Sequence, residues 1–329
     1  MLGFKGLARA VGGRAAFATG LRAASTVGGA LEEAVARLPH KEALRSVKQD
    51  LRYSFQELSA AVDELANGFV DLKFATGDVL AVWLPNNAEN VITQLAAAKA
   101  GLTLAVIEPE ISTAEEIEFI LHDSRASGLL FEPKIAGRNQ TAVVQELFPQ
   151  LATCALESRG YVFIKRQADG CCVRDEEQVF RPKGFRHLHT IVSTSFDHIE
   201  GVLLWNELGV NSPEPYAMAA IKKTLNEKTP FAVTYSKTAG GNPKKSAVIT
   251  HGDLLKRADK LAKSLKLSAT DKVLLTGEEG GLSVAPLAAI EKSSQLVLPA
   301  AEFNEAAVQH ALKVEQCSIV GSAETFKRV

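Results

Sequence analysis

Residues 231 to 252 read FAVTYSKTAGGNPKKSAVITHG: an apolar run, a glycine-bearing basic turn, a second apolar run, and Thr250-His251 opening a helix. A loop placed between a strand and a helix can turn backbone N–H groups toward a phosphate. Lys237, Lys244 and Lys245 add positive charge, and lysine binds phosphate as a point charge without demanding one geometry. The same residues also make an ordinary solvated basic turn, which is the reading favoured here. Glu278 and Glu279 form the one adjacent carboxylate pair close to a strand end, where acid/base chemistry is one use and a surface loop the simpler one. Cys154, Cys171, Cys172 and Cys317 have no C-x-x-C spacing, and His187 and His189 alternate along a strand-like run, so no metal site is expected.

These groups must be held by the elements around them. LRYSF (51–55) reads as a strand entering a helix through the capping box Ser54 and Glu57. Leu58, Ala61, Val62, Leu65, Phe69 and Leu72 then recur at helical spacing. VLAVWL (79–84) is a continuous apolar strand of the type buried on both faces, followed by helix 87–100, strand TLAVI (103–107), a capped helix from Ser112 or Thr113, and strand GLLF (128–131). The order returns as strand KVLLT (272–276), helix 281–291, strand QLVLP (295–299), helix 304–315 and strand SIVG (318–321), offset by about 190 residues. Alternating strands and helices require crossovers, so the fold class is α/β with two similar parallel-sheet subdomains. Between 134 and 230 the pattern is less regular, its clearest strands being YVFIK (161–165) and HLHTIVS (187–193).

The first 31 residues carry Lys5, Arg9, Arg14 and Arg22 and no acid, with Leu2, Phe4, Leu7, Val11, Phe17 and Leu21 between them. Such a segment reads as a mitochondrial transit peptide cleaved near Arg22 to Thr26. The expected division is therefore 1–31 transit-like segment, 32–230 first subdomain with its irregular insert, and 231–329 basic loop and second subdomain. Four of the chain's 37 basic residues lie in the leader, leaving 33 against 38 acids, a balance that excludes nucleic-acid binding through net charge. No apolar run is long enough to span a bilayer.

The stretches YSFQELSAAVDELANGF and GDVLAVWLPNNAENVITQLAAAKAGLTLAVIEPEISTAEEIEFILHDSRASGLLF, with FRHLHTIVST, the basic loop and SSQLVLPAAEFNEAAVQHALKVEQCSIVGSAETF, resemble the N-terminal part of AMP-forming acyl-CoA synthetases. The likeness covers most of residues 32 to 329. It implies a two-subdomain α/β fold and activation of a carboxylic acid with ATP before acyl transfer to coenzyme A. The family's phosphate loop runs Tyr-Thr-Ser-Gly-Thr-Thr-Gly-x-Pro-Lys-Gly, and the resemblance maps its frame onto Tyr235, Gly241, Pro243 and Lys244, followed by Thr250-His251. Lys237 stands for a serine, Thr238 for a glycine, and Ala239 and Gly240 for two threonines, with one extra residue before His251. An aromatic and a histidine that the family places after the strand at 272–276 are replaced by GEEGGLSV. The resemblance further implies that the second subdomain is truncated at Val329, short of the adenine- and ribose-binding strands and the catalytic lysine.

From these departures the sequence leads to three expectations. First is a catalytically inactive relative, without cofactor, acting as a structural accessory subunit of a large complex on the matrix side of the mitochondrial inner membrane. The ATP synthase-associated subunits of green-algal type are its comparison in size and character. Its protein contacts would centre on 270–329, where a cut sheet would leave an open edge. The alternatives are a non-catalytic acyl-CoA or nucleotide-binding regulatory module, and a residual acyl-CoA ligase.

Overall fold

A computed structural model describes residues 25–153, 155–157, 162–164, 182, 184–208, 215–277, 281–322 and 325–329. Most of the transit-like segment, Cys154, Cys171, Cys172, Glu278 and Glu279 lie outside these residues. The chain starts with α1 (Val27–Arg37), the hairpin β1 (Glu42–Ser46) and β2 (Leu51–Ser54), and α2 (Phe55–Asp71). It continues through β3 (Val79–Trp83), α3 (Ala88–Ala100), β4 (Thr103–Ile107), α4 (Ala114–Ser124) and β5 (Gly128–Phe131). The irregular stretch holds the hairpin β6 (Lys134–Ile135) and β7 (Arg138–Asn139), α5 (Gln140–Leu147), and short strands β8 (Ala155–Glu157) and β9 (Val162–Ile164). Next come β10 (Thr190–Ser193), β11 (Leu203–Leu204) and α6 (Pro215–Thr224). The second half runs β12 (Pro230–Ser236), β13 (Lys244–Lys245), β14 (Ile249–Thr250), α7 (His251–Ser264), β15 (Lys272–Leu275) and α8 (Ala285–Glu291). It ends with β16 (Gln295–Leu298), α9 (Glu305–Glu315), β17 (Ile319–Ser322) and β18 (Thr325–Arg328).

The helices stop and start where local chemistry dictates. The expected capping box of Ser54 with Glu57 forms at α2, and the cap expected at Ser112 or Thr113 is Thr113, in a capping box with Glu116 at α4. Asn87 caps α3, which ends on Gly101 in the left-handed region at φ +73°.

The strands form two large sheets, ordered β11-β10-β5-β3-β4-β12-β13 and β18-β17-β15-β16-β1-β2, with β14 added to β12. The internal repeat is real in three dimensions. In one sheet the core order is β5-β3-β4 and in the other β17-β15-β16, all parallel, so third, first and second strands occupy the same places. The leading strand of each half has crossed over. β1 pairs in parallel with β16, and β12 pairs in parallel with β4. A boundary at residue 231 thus divides the sequence repeat, whereas the sheets exchange strands across it.

Alternation along the strands builds five layers. Leu80, Val82, Leu104, Val106, Leu296 and Leu298 face an inner helical layer that includes α1, α2, α3, α7 and α8. Ala81, Trp83, Ala105, Ile107 and Phe131 face outward toward α4 and α5, and Leu274 and Val297 toward α9. Strands buried on both faces explain the unbroken apolar runs of the sequence.

Two expectations change here. Helix α1 starts inside the segment read as leader: Thr26 accepts from Gly29 N–H at 3.1 Å, and Val27, Ala30 and Leu31 are buried. The expected open edge also changes: β15, β16 and β17 with α7, α8 and α9 repeat the order of β3, β4 and β5 with α2, α3 and α4, and β18 pairs antiparallel with β17. Strand β18 carries exposed Thr325, Lys327 and Arg328, side chains that oppose further strand pairing. Arg328 also forks onto the Asp271 carboxylate at 2.9 and 3.1 Å; hydrogen bonds from Arg328, Ser318 and Ser268 outweigh burial and hold that acid well below the usual carboxylate range.

The β17–β18 pairing tolerates no side chain at Gly321, because a Cβ there would lie 2.2 Å from the Thr325 carbonyl oxygen and 2.7 Å from Phe326 Cα. Gly321→Val is expected to cost about 1–3 kcal/mol by this overpacking. Urea unfolding should show the lower midpoint; a wild-type midpoint would mean that β18 is not seated as described.

Candidate active-site cleft

Parallel strands direct their carboxyl ends, and the loops that follow, to one side of a sheet, the usual place for a ligand. In this chain both sheets contribute such ends to a shared cleft of about 730 Å³. Val106 and Glu108–Glu110 come from the end of β4, Thr234 from β12, Gly277 and Gly281–Val284 from beyond β15, and Ala301–Phe303 from beyond β16. Leu254 and Arg257 of α7 and Ile135, Ala136 and Arg138 of the β6–β7 hairpin complete the wall.

The cleft is held open by polar ties between the two sheets. Asn86, just past β3, donates its backbone N–H to the Ala301 carbonyl at 2.9 Å and its side-chain amide to the Leu275 carbonyl at 3.2 Å. Gly277 sits at φ +81°, with Asn86 Nδ2 3.0 Å from where a Cβ would stand, so a side chain there would press on this tie. The Ala136 N–H donates to the Glu302 carboxylate and Gln94 Nε2 to the Gly281 carbonyl at 3.1 Å. Nearby, Glu132 accepts from Thr194 Oγ1 and Asn87 Nδ2, and burial raises its pKa.

The lining is mixed. Val106, Ile135, Ile249, Leu254, Leu282 and Val284 supply apolar wall, and Phe303 stands half exposed at the rim. Glu108, Glu110, Glu302, Arg138 and Arg257 supply charge. Such a cavity can hold a small organic molecule by its apolar part and orient it through a few polar groups.

The basic loop lies beside this cleft and is braced from its outer side. Tyr235 is fully buried on the α4 side of its sheet and donates its hydroxyl to Asp123 at 2.6 Å; burial, then that carboxylate, raises its pKa. Lys245 reaches the same carboxylate at 2.8 Å, and these two hydrogen bonds lower the Asp123 pKa. Lys237 donates to the Glu110 carbonyl at 3.1 Å and lies 3.8 Å from Glu116. Thr238 Oγ1 donates to the carbonyls of Gly241 and Asn242, with Gly240 at φ +85° making the turn.

Pro243 is buried beneath the loop, Gly241 is exposed, and Lys244 sits exposed on β13. Lys244 is the loop lysine without a side-chain partner among the described residues. The four residues mapped from the resemblance therefore split. Tyr235 and Pro243 are supports, and Gly241 and Lys244 are open to solvent. Thr234, one residue before Tyr235, is the strand residue on the cleft. Of the two histidines expected to decorate a strand surface, His187 is exposed, but His189 is half-buried against the Phe74 ring at 4.7 Å, and both precede β10. Cys317 is buried, which pushes its thiol up to about 12, so it is no nucleophile.

Residues 31–326 match the family model of the AMP-binding enzymes. The chain belongs to the AMP-binding enzyme family. Its relatives include the mitochondrial medium-chain acyl-CoA ligase ACSF2 of mouse (Mus musculus), 22% identical over 315 residues that make up 92% of this chain and 47% of that one. The human (Homo sapiens) protein of the same name is 26% identical over 245 residues, 74% of this chain and 36% of its own. Among solved structures, the inhibitor-bound N-terminal domain of FACL13 from Mycobacterium tuberculosis superposes with a TM-score of 0.62 at 18% identity, covering 91% of this chain and 63% of that one. The chain thus spans about half or less of the length of these two curated relatives.

These findings overturn the expectation of a non-enzymatic structural subunit and its ATP synthase comparison: the family is one of enzymes, and these relatives are acyl-CoA ligases. The physical error was to weigh loop substitutions as lost chemistry. The loop still runs between β12 and α7, and the cleft beside it takes wall from both sheets. The cleft residues Glu108, Arg138, Arg257 and Glu302 were not singled out from sequence. Glu108 and Glu302 could have been found by reading the residues just past each apolar strand.

Proposed function

We propose that this chain is the acid-binding part of an AMP-forming acyl-CoA ligase, with the acyl group of a carboxylic acid in the inter-sheet cleft. The cleft carries the reading. Its 730 Å³ falls within the roughly 300–1,000 Å³ of small-molecule sites, and it opens at strand carboxyl ends. In such a reaction the carboxylate attacks the α-phosphate of ATP, the bond to pyrophosphate breaks, and the thiol of coenzyme A then displaces AMP from the acyl-adenylate.

Thr234 on the cleft wall lies on β12 just before the basic loop, and Lys237 of that loop donates to the carbonyl of the lining residue Glu110. Lys244, with no side-chain partner among the described residues, can offset charge on the nucleotide's phosphates. The acid-free, arginine-bearing segment at 1–31 and the mitochondrial relatives support a mitochondrial location.

The test is pyrophosphate exchange and hydroxamate trapping by the full chain with ATP and saturated acids of increasing length. The expected result is acid-dependent exchange above a heat-killed control, weakened about tenfold or more in ATP affinity by Lys244→Ala, the loss of one charge contact. No exchange and no acid binding by calorimetry would overturn the reading.

A further inference from the structure

Resting on that reading, we infer that the cleft selects a carboxylic acid whose chain carries a hydroxyl group, and that Arg138 is the residue that reads it. A plain alkyl chain asks only for apolar wall. This wall instead brings five charged side chains, from four separate elements or loops, to one cavity: Glu108 and Glu110 past β4, Arg138 on β7, Arg257 on α7 and Glu302 past β16. An alkyl chain filling that space would offer no acceptor to the one of these groups whose donor lacks a partner among the described residues, Arg138. A hydroxyl both donates and accepts, so it can meet an arginine and a glutamate at once.

Arg138 is singled out by its unfinished hydrogen bonding. Its guanidinium is fastened by Nη2 to the Pro109 carbonyl, on the opposite side of the β4 loop. Its Nε–H is buried and has no acceptor among the described residues. A buried orphan donor beside a cavity is satisfied most simply by an acceptor that the ligand brings. Glu302 faces the same hairpin and is already engaged by the Ala136 N–H, which holds its carboxylate at the cavity rim. A site that hydrogen-bonds a substrate hydroxyl discriminates far more sharply than one that measures chain length, because the analogue without it leaves those groups unpaired.

The experiment measures binding of octanoate, 8-hydroxyoctanoate and 8-aminooctanoate to the full chain by calorimetry, in wild type, Arg138→Met and Arg138→Lys. The hydroxy acid is expected to bind at least tenfold more tightly than octanoate. Arg138→Met should erase that preference while octanoate binding holds or improves, and Arg138→Lys should restore part of it. Thermal midpoints within a few degrees of wild type show that the hairpin still folds. Should Arg138→Met unfold, the wild-type preference between 8-hydroxyoctanoate and octanoate still decides the inference.

Octanoate binding as tightly as the hydroxy acid, or tighter binding of the amino acid analogue, would overturn this inference and leave the acyl cleft standing. No binding of any of the three would overturn both.

Discussion

Ala301→Trp is expected to abolish acid binding, with affinity falling by about 100-fold or more, or ~2.7 kcal/mol, while the fold survives. Ala301 lines the cleft just past β16, and its backbone carbonyl, which ties Asn86, is unaffected by the side chain. An indole there occupies space that the acyl chain needs, and packed interiors do not yield to such volume. The residue is only partly buried and sits beyond the strand's last pairing, so the sheet need not move. Calorimetry with the best-binding acid, alongside a thermal melt, checks both halves of the statement. Wild-type affinity in a folded Ala301→Trp variant would place the acid elsewhere.

The stability of His251→Gln relative to wild type is expected to change with pH by about 3 kcal/mol between pH 7 and 4. His251 opens α7 fully buried, beside the Phe231 ring at 5.3 Å, and its Nδ1 accepts the Val27 N–H at 3.2 Å. The neutral ring therefore carries its proton on Nε2. Adding a second proton would set a donor against the Val27 N–H. Burial pushes the pKa down to about 4 from about 6.5. The native state thus holds fewer protons than the unfolded chain between these values. The histidine's contribution is full above pH 6.5 and is lost as the pH falls toward 4.

Glu291, at the other end of the same helix contact, works in the opposite sense. Burial pushes its pKa up to about 7, and its Oε2 has no partner among the described residues. Its backbone carbonyl accepts from Arg37 Nη2 at 2.8 Å, so α1 is held at its start by His251 and at its end by Glu291. A raised carboxyl favours the native state below pH 4.5 and loses that contribution as the pH rises through 7. The two slopes oppose each other over nearly one window.

Urea unfolding from pH 4 to 8 should therefore show wild type losing its advantage over His251→Gln as acid is added. Glu291→Gln should gain on wild type as the pH rises. Differences that stay constant across that range would refute the coupling.

Much of this was legible in the chain itself. Apolar runs such as VLAVWL and QLVLP announced strands buried on both faces because nothing polar interrupts them. Ser54 with Glu57, and Thr113 with Glu116, set helix starts by contacts three residues long, and local chemistry of that range is visible in sequence. The 190-residue repeat and the family likeness were equally plain, since both reside in order and spacing.

What required the tertiary structure is everything decided between residues far apart. Periodicity marks β1 and β12 as strands, yet says nothing about which sheet receives them, and each joins the other half's sheet. Helix α1 was hidden by Gly28 and Gly29 and by the missing acids before it. It is stabilised by packing and by His251, 224 residues away, more than by its own propensity. The cleft belongs to the same class. Val106, Arg138, Arg257 and Glu302 carry no common local signal, and only the docking of two sheets with strand ends facing one space brings them together.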